Sequence, residues 1–187
     1  MNHHSLLQSS VAVTLVAAGL LSGCSAMDTH SPSFSQDSLP DSVKVPAGHK
    51  VAMETVGMGE ITYECKDKAN APGTVEWTFI GPKAALKDRS GKQVGTYYGP
   101  PATWEAKDGS KLTGTQQAIA PSGPGNLPFQ LVKANPATGT GAMSGVAYIQ
   151  RVALTGGVAP KSPCAAETRG RRDTVAYQAD YIFWKAE

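Results

Sequence analysis

One stretch of the chain gathers most of the side chains that could recognise or transform a ligand. Tyr97 and Tyr98 run into Gly99-Pro100-Pro101-Ala102-Thr103-Trp104-Glu105-Ala106-Lys107-Asp108-Gly109-Ser110. Three aromatic rings beside two carboxylates and a hydroxyl could form a platform that stacks on a sugar ring and hydrogen-bonds its hydroxyl groups. If Glu105 and Asp108 faced one cleft, they could serve as the acid and base of a glycosidase. That chemistry needs a set separation, which two carboxylates flanking a turn do not ensure. The plainer reading puts Trp104 and one Tyr in the core and makes Asp108-Gly109 a hairpin turn.

A second polar feature is Gln150-Arg151, flanked by Ile149 and Val152. By alternation Gln150 shares a face with Tyr148 and Val152, while Arg151 points the other way. A glutamine on an apolar face must be hydrogen-bonded, which makes it a structural bracket or the polar group of a pocket. Arg169, Arg171 and Arg172 form a small basic cluster. It reads as a solvated loop, or as a surface that could approach anionic headgroups.

Elimination narrows the chemistry. Of four histidines, His3 and His4 belong to the apolar leader, His30 to the segment that follows it, and only His49 to the domain. This argues against a multi-histidine metal centre, and a Ser-His-Asp triad would have to rest on His49 alone. The run from Gly139 to Gly145 resembles a nucleotide-binding loop but has one residue too many and precedes a strand rather than a helix, so it reads as a turn. No cofactor and no metal is implied. A net charge of +2 gives no reason to expect a nucleic-acid partner.

The three cysteines divide by position. Residues 11–21, VAVTLVAAGLL, form an apolar stretch too short to span a bilayer and suited to a signal-peptide h-region. It leads into Leu21-Ser22-Gly23-Cys24, which resembles the lipobox of bacterial lipoproteins. The resemblance implies cleavage before Cys24, lipidation of its thiol, and attachment to the membrane through acyl chains, which anchor strongly when two or more are present. Ser25 after the cysteine points to the outer membrane of the cell envelope. The remaining pair, Cys65 and Cys164, is expected to form a disulfide in an exported protein.

These side chains must be positioned by strands. The chain has 187 residues with 20 glycines and 13 prolines, the poorest helix formers, and only 17% charged residues. Alternation with period two marks 59–66 (Ile61, Tyr63, Cys65), 74–80 (Val75, Trp77, Phe79), 146–154 (Val146, Tyr148, Val152, Leu154) and the final run Val175, Tyr177, Ala179, Tyr181, Phe183. Weaker candidates are 49–56, 94–98, 102–106, 111–118 and 127–133. Turn signals separate them at 71–73, Gly81-Pro82, 90–91, 99–101, 108–109, 121–125 and 156–157. The expectation is an all-β domain, an antiparallel sandwich or barrel of about 8–10 short strands with one disulfide. The domain plan is a signal peptide at 1–23, a Ser/Pro/Asp-rich flexible tether at 24–43, and one β-rich domain at 44–187.

The ordered set Tyr63-Glu64-Cys65, Gly81-Pro82, Gly99-Pro100, Trp104, Asp108-Gly109-Ser110, Ile149-Gln150-Arg151-Val152, Thr155-Gly156-Gly157, Cys164 and Tyr177-x-Ala-x-Tyr181-x-Phe183 resembles an exported bacterial and fungal domain family of unknown function. The resemblance spans roughly 45–185 and implies that the Cys65/Cys164 pair and the Trp104 loop are family features. It supplies no activity. The functional expectation is a lipid-anchored envelope protein with a non-enzymatic binding or structural β-domain, touching a glycan or another envelope component. The alternative is a carboxylate-dependent hydrolase of envelope or extracellular glycans. The candidate ligand-binding residues are Tyr97, Tyr98, Trp104, Glu105, Asp108 and Gln150. Nothing in the sequence sets the oligomeric state.

Overall fold

The computed structural model describes residues 34–187 together with Met1. Residues 2–33 lie outside that description, and with them the expected signal peptide, Cys24 and the first half of the expected tether. The described chain is all-β. Eight strands follow one another: β1 (His49–Asp67), β2 (Val75–Lys87), β3 (Gln93–Tyr98), β4 (Thr103–Ala106), β5 (Lys111–Ala120), β6 (Phe129–Ala134), β7 (Val146–Gly156) and β8 (Arg172–Ala186). Each pairs antiparallel with its sequence neighbour, and β8 pairs back onto β1 over most of both strands, closing a barrel. Closure leaves no sheet edge with unpaired backbone groups. Of the two architectures expected, the barrel is the one formed.

Eight strands lie within the expected number, but two of them run longer than the turn signals suggested. Candidates 49–56 and 59–66 are one strand, β1, running through Gly57 and Gly59. Glycine is needed there for space rather than for a turn. A Cβ on Gly57 would sit 2.6 Å from the Tyr181 ring, and one on Gly59 would collide with the Lys83 carbonyl of β2. Gly81-Pro82 likewise lies inside β2, just after a bulge where Thr62 pairs with Gly81 but Tyr63 with Phe79. The other turn signals fall between strands, except that Gly156 of the 156–157 signal is the last residue of β7, paired with Tyr177.

Alternation holds where a strand is regular. Ile61, Tyr63 and Cys65 of β1 and Tyr177, Ala179, Tyr181 and Phe183 of β8 all point inward and are buried. In β7 it does not hold. Bulges between Val146 and Tyr148 and between Val152 and Thr155 switch faces, the second with Ala153 at φ 48°. Val146, Ile149 and Leu154 therefore belong to the barrel interior, while Val152 and the partly buried Tyr148 pack with an outer cluster.

That outer cluster explains why β7 and β8 are apolar on both faces. Ile182 and Trp184 of β8 point away from the barrel axis and are buried under the segment 34–45, whose Val43 and Val45 are inserted beside them. Phe34 meets Trp184 edge-on at 6.4 Å between ring centroids, and a single 3₁₀ turn, Asp41–Val43, turns the chain inward. The tether expected through residue 43 is thus corrected over 34–43. Phe34, Leu39 and Val43 supply apolar anchors that the Ser/Pro/Asp-rich composition concealed, and the segment is a strap on the barrel wall.

Up-and-down order places the β2–β3, β4–β5 and β6–β7 connections at one end of the barrel. The β6–β7 connection, 135–145, folds in there and inserts Met143 into the core. The other end carries the β1–β2, β3–β4, β5–β6 and β7–β8 connections. There the Cys65–Cys164 disulfide, 99 residues apart in sequence, ties the long β7–β8 connection to β1.

Candidate ligand site at the barrel mouth

The Tyr97–Ser110 stretch is split by the sheet. Tyr97 and Trp104 are cross-strand partners facing inward, stacked at 4.8 Å with 21° between planes, and Trp104 is 1% exposed. Tyr98 and Glu105, one residue along each strand, face outward, where the Tyr98 hydroxyl donates to Glu105 Oε2 at 2.7 Å. That bond, with the carboxylate's charge, raises the Tyr98 hydroxyl pKa above its ordinary value. Asp108 serves the β4–β5 hairpin and the closed end. Its Oδ1 accepts from the Ser110 hydroxyl and amide, and its Oδ2 from the Ala142 amide at 2.7 Å. Those bonds hold its carboxyl below the usual range. Glu105 and Asp108 are engaged with separate partners, and the six candidate residues do not meet on one surface.

Gln150 is fully buried on the strap side of β7. It donates to the Val43 carbonyl at 2.7 Å and to Gln36 Oε1 at 3.0 Å, and accepts from Trp184 Nε1 at 2.9 Å. It is the bracket of the two readings. The basic cluster is consumed in ion pairs: Arg169 with Asp67, Arg171 with Asp173, and Arg172 with Glu64, all at 2.6–2.7 Å.

Two of the candidates, Tyr97 and Trp104, together line one cavity inside the barrel. It opens at the disulfide end of the barrel and holds about 440 Å³, within the size range of small-molecule sites. Tyr63, Tyr97 and Trp104 line its inner wall, Pro100 and Leu127 its sides, and Phe79 and Ile119 its rim, half-exposed at 50% and 52%. The Tyr63 hydroxyl is spent on the Gly157 carbonyl at 2.8 Å. The Trp104 indole N–H is buried with no hydrogen-bond partner among the described residues.

Arg151 enters this cavity from β7. Its Nε and Nη2 donate to the Pro128 carbonyl at 3.3 and 3.0 Å, which fixes the guanidinium plane. Its charge is felt through the interior. Burial pushes the Tyr97, Tyr177 and Tyr181 hydroxyls up from their ordinary pKa, and the Arg151 charge draws them partly back. Sequence reasoning gave Arg151 no role, because it took the Gln150 face for the core. The available signal was that 146–154 carries apolar residues at both parities, the mark of a strand buried on two sides.

Fold and cavity together define a small disulfide-tied up-and-down β-barrel, plugged at one end and open at the other onto an aromatic pocket. The chain belongs to the family described as "Protein of unknown function (DUF3455)", which matches residues 46–185. Comparison with curated proteins and with solved structures gave no match.

Proposed function

We propose that this protein is a cell-envelope lipoprotein, anchored through Cys24 in the outer membrane, whose barrel is a non-enzymatic binding domain that takes a small ligand at its mouth. The observation that carries the binding role is the cavity itself: about 440 Å³, walled by Tyr63, Tyr97 and Trp104 and rimmed by exposed Phe79 and Ile119. Exposed apolar side chains around a concavity mark a place where burial of a partner is favourable. A rigid strand scaffold suits such a site, since it is formed before the ligand arrives. The address rests on the Leu21-Ser22-Gly23-Cys24 sequence and on Ser25.

Two measurements test the two halves. Wild-type protein should fractionate with membranes and require detergent, and Cys24→Ala should not; an unchanged membrane fraction for the variant would overturn the anchor. The neutral dye N-phenyl-1-naphthylamine should bind one per chain with increased fluorescence. Ala102→Phe, which fills the mouth, should abolish that signal without changing the melting temperature by more than a few degrees. Undiminished binding to Ala102→Phe would place the dye elsewhere and remove the site.

A further inference from the structure

The mouth is electrically one-sided. Among the described residues, Arg151 is the one charged residue that lines it. The chain has five arginines, and the other four each hold a carboxylate within 2.7 Å: Arg89 bridges Glu54 and Asp180, and the three of the β7–β8 connection are paired as described. Arg151 has no carboxylate partner among the described residues. It rests on a backbone carbonyl through Nε and Nη2, and Nη1 makes no hydrogen bond to any described residue.

A partly buried guanidinium without a counter-ion is unfavourable, because the desolvation it suffers is not offset by an opposite charge. Its planar fork matches carboxylate and sulfonate oxygens, and fixing that plane in advance lowers the entropy lost on binding. Around it the walls are rings and aliphatic groups: Tyr63, Tyr97, Trp104, Leu127 and the rim residues Phe79 and Ile119. An anion with no apolar body would leave those surfaces wet, and a neutral apolar molecule would leave Arg151 unpaired.

We infer that the mouth binds a small organic acid with an aromatic or similarly apolar body, its anionic group on Arg151 and its body against Tyr63, Trp104 and Phe79. This rests on the reading of the mouth as a binding site and names the class of ligand it takes. Two dyes of nearly the same shape separate the two claims. The first is 8-anilino-1-naphthalenesulfonate, and the second is N-phenyl-1-naphthylamine, which lacks the sulfonate. Both are titrated into the folded chain with Cys24 replaced by Ala.

The expected result is one site for each dye, with the sulfonate tighter by about tenfold or more, the size of a charge-assisted hydrogen bond. Arg151→Gln should bring the sulfonate down to the neutral dye's affinity and leave the neutral dye unchanged, and Arg151→Lys should keep part of the preference. Gln116→Glu is a second variant that leaves Arg151 in place. It is isosteric, sits exposed on the same cavity, and retains the acceptor for Gln130 Nε2. It should weaken the sulfonate several-fold and spare the neutral dye. Equal affinities in the wild type, or a preference that survives both Arg151→Gln and Gln116→Glu, would overturn the organic-acid assignment while the binding site stood. Failure of both dyes to bind would overturn the binding site itself.

Discussion

Replacing Gln150 by Leu tests whether the strap is part of the folded domain. Leucine fills nearly the same volume but answers none of the amide's three contacts. Two groups then lose their bonds in a dry place: the Trp184 indole N–H, on a residue 7% exposed, and the Val43 carbonyl, on a residue 1% exposed. Each buried orphan costs about 1–3 kcal/mol. Gln36 Oε1 keeps its other donor, the Val45 amide at 2.7 Å, so its loss adds little. The extra apolar area of leucine offsets part of the penalty, which leaves about 2–4 kcal/mol. At roughly 2–4 °C per kcal/mol for a chain of this size, the midpoint should fall by about 5–15 °C. Thermal melting reads the total. Hydrogen exchange at the Val43 and Val45 amides reads whether the strap opens before the barrel, and both should lose protection first. A midpoint within about 2 °C of wild type, with unchanged exchange at those amides, would refute the reasoning.

Replacing both Cys65 and Cys164 by Ser should lower stability by up to about 4–5 kcal/mol, since the bridge closes a loop of 99 residues; a urea midpoint at the wild-type value refutes it. Burial raises the pKa of Tyr97, Tyr177 and Tyr181 above the free value, so their contribution to stability is complete below about pH 10 and is lost as pH rises through the raised values. Tyrosinate absorbance from these three should appear together with loss of near-ultraviolet dichroism, and their titration within the intact fold would contradict this. Asp108 has the opposite sign: its lowered pKa gives a contribution present above the unfolded value and lost as pH falls through the folded one. Asp108→Asn should remove that acid dependence and speed exchange at Ala142, because an amide nitrogen placed at Oδ2 would face the Ala142 N–H; unchanged exchange there would refute it.

What could be read from the sequence depended on how one-sided each strand is. β1 and β8 showed their inner residues because alternate positions face water over much of their length, so period two survives in the residue types. β7 misled because two bulges change its parity and because its outer side chains are buried under the strap. A cover supplied by residues more than a hundred positions away leaves no local trace beyond apolar residues at both parities. Gly81-Pro82 misled for a related reason: glycine marks a turn and a close backbone approach alike, and here a Cβ would strike the Gly99 carbonyl. Of the candidate site, Tyr97 and Trp104 were found by type and spacing. Arg151 was not, because what distinguishes it is a lack, that of a carboxylate partner among the described residues, which only the folded arrangement of the other four arginines makes visible.

On the proposed anchoring at Cys24, the strap would also set how far the barrel can stand from a membrane. A flexible tether through residue 43 would allow the barrel to range over about 65 Å, at 3.3–3.6 Å per extended residue. Phe34 is docked against Trp184, with its amide donating to Glu54 Oε1 at 2.8 Å, which leaves ten residues of sequence, 24–33, between the expected anchor and the strap. Their maximum reach is about 35 Å. On the proposed anchoring at Cys24, then, the bracket formed by Gln36, Gln150 and Trp184 is what shortens the leash. A change that releases the strap, such as Gln150→Leu, would loosen the address of the barrel while leaving the interior walls of its mouth in place, because those walls belong to the inner core and the strap only to the outer one.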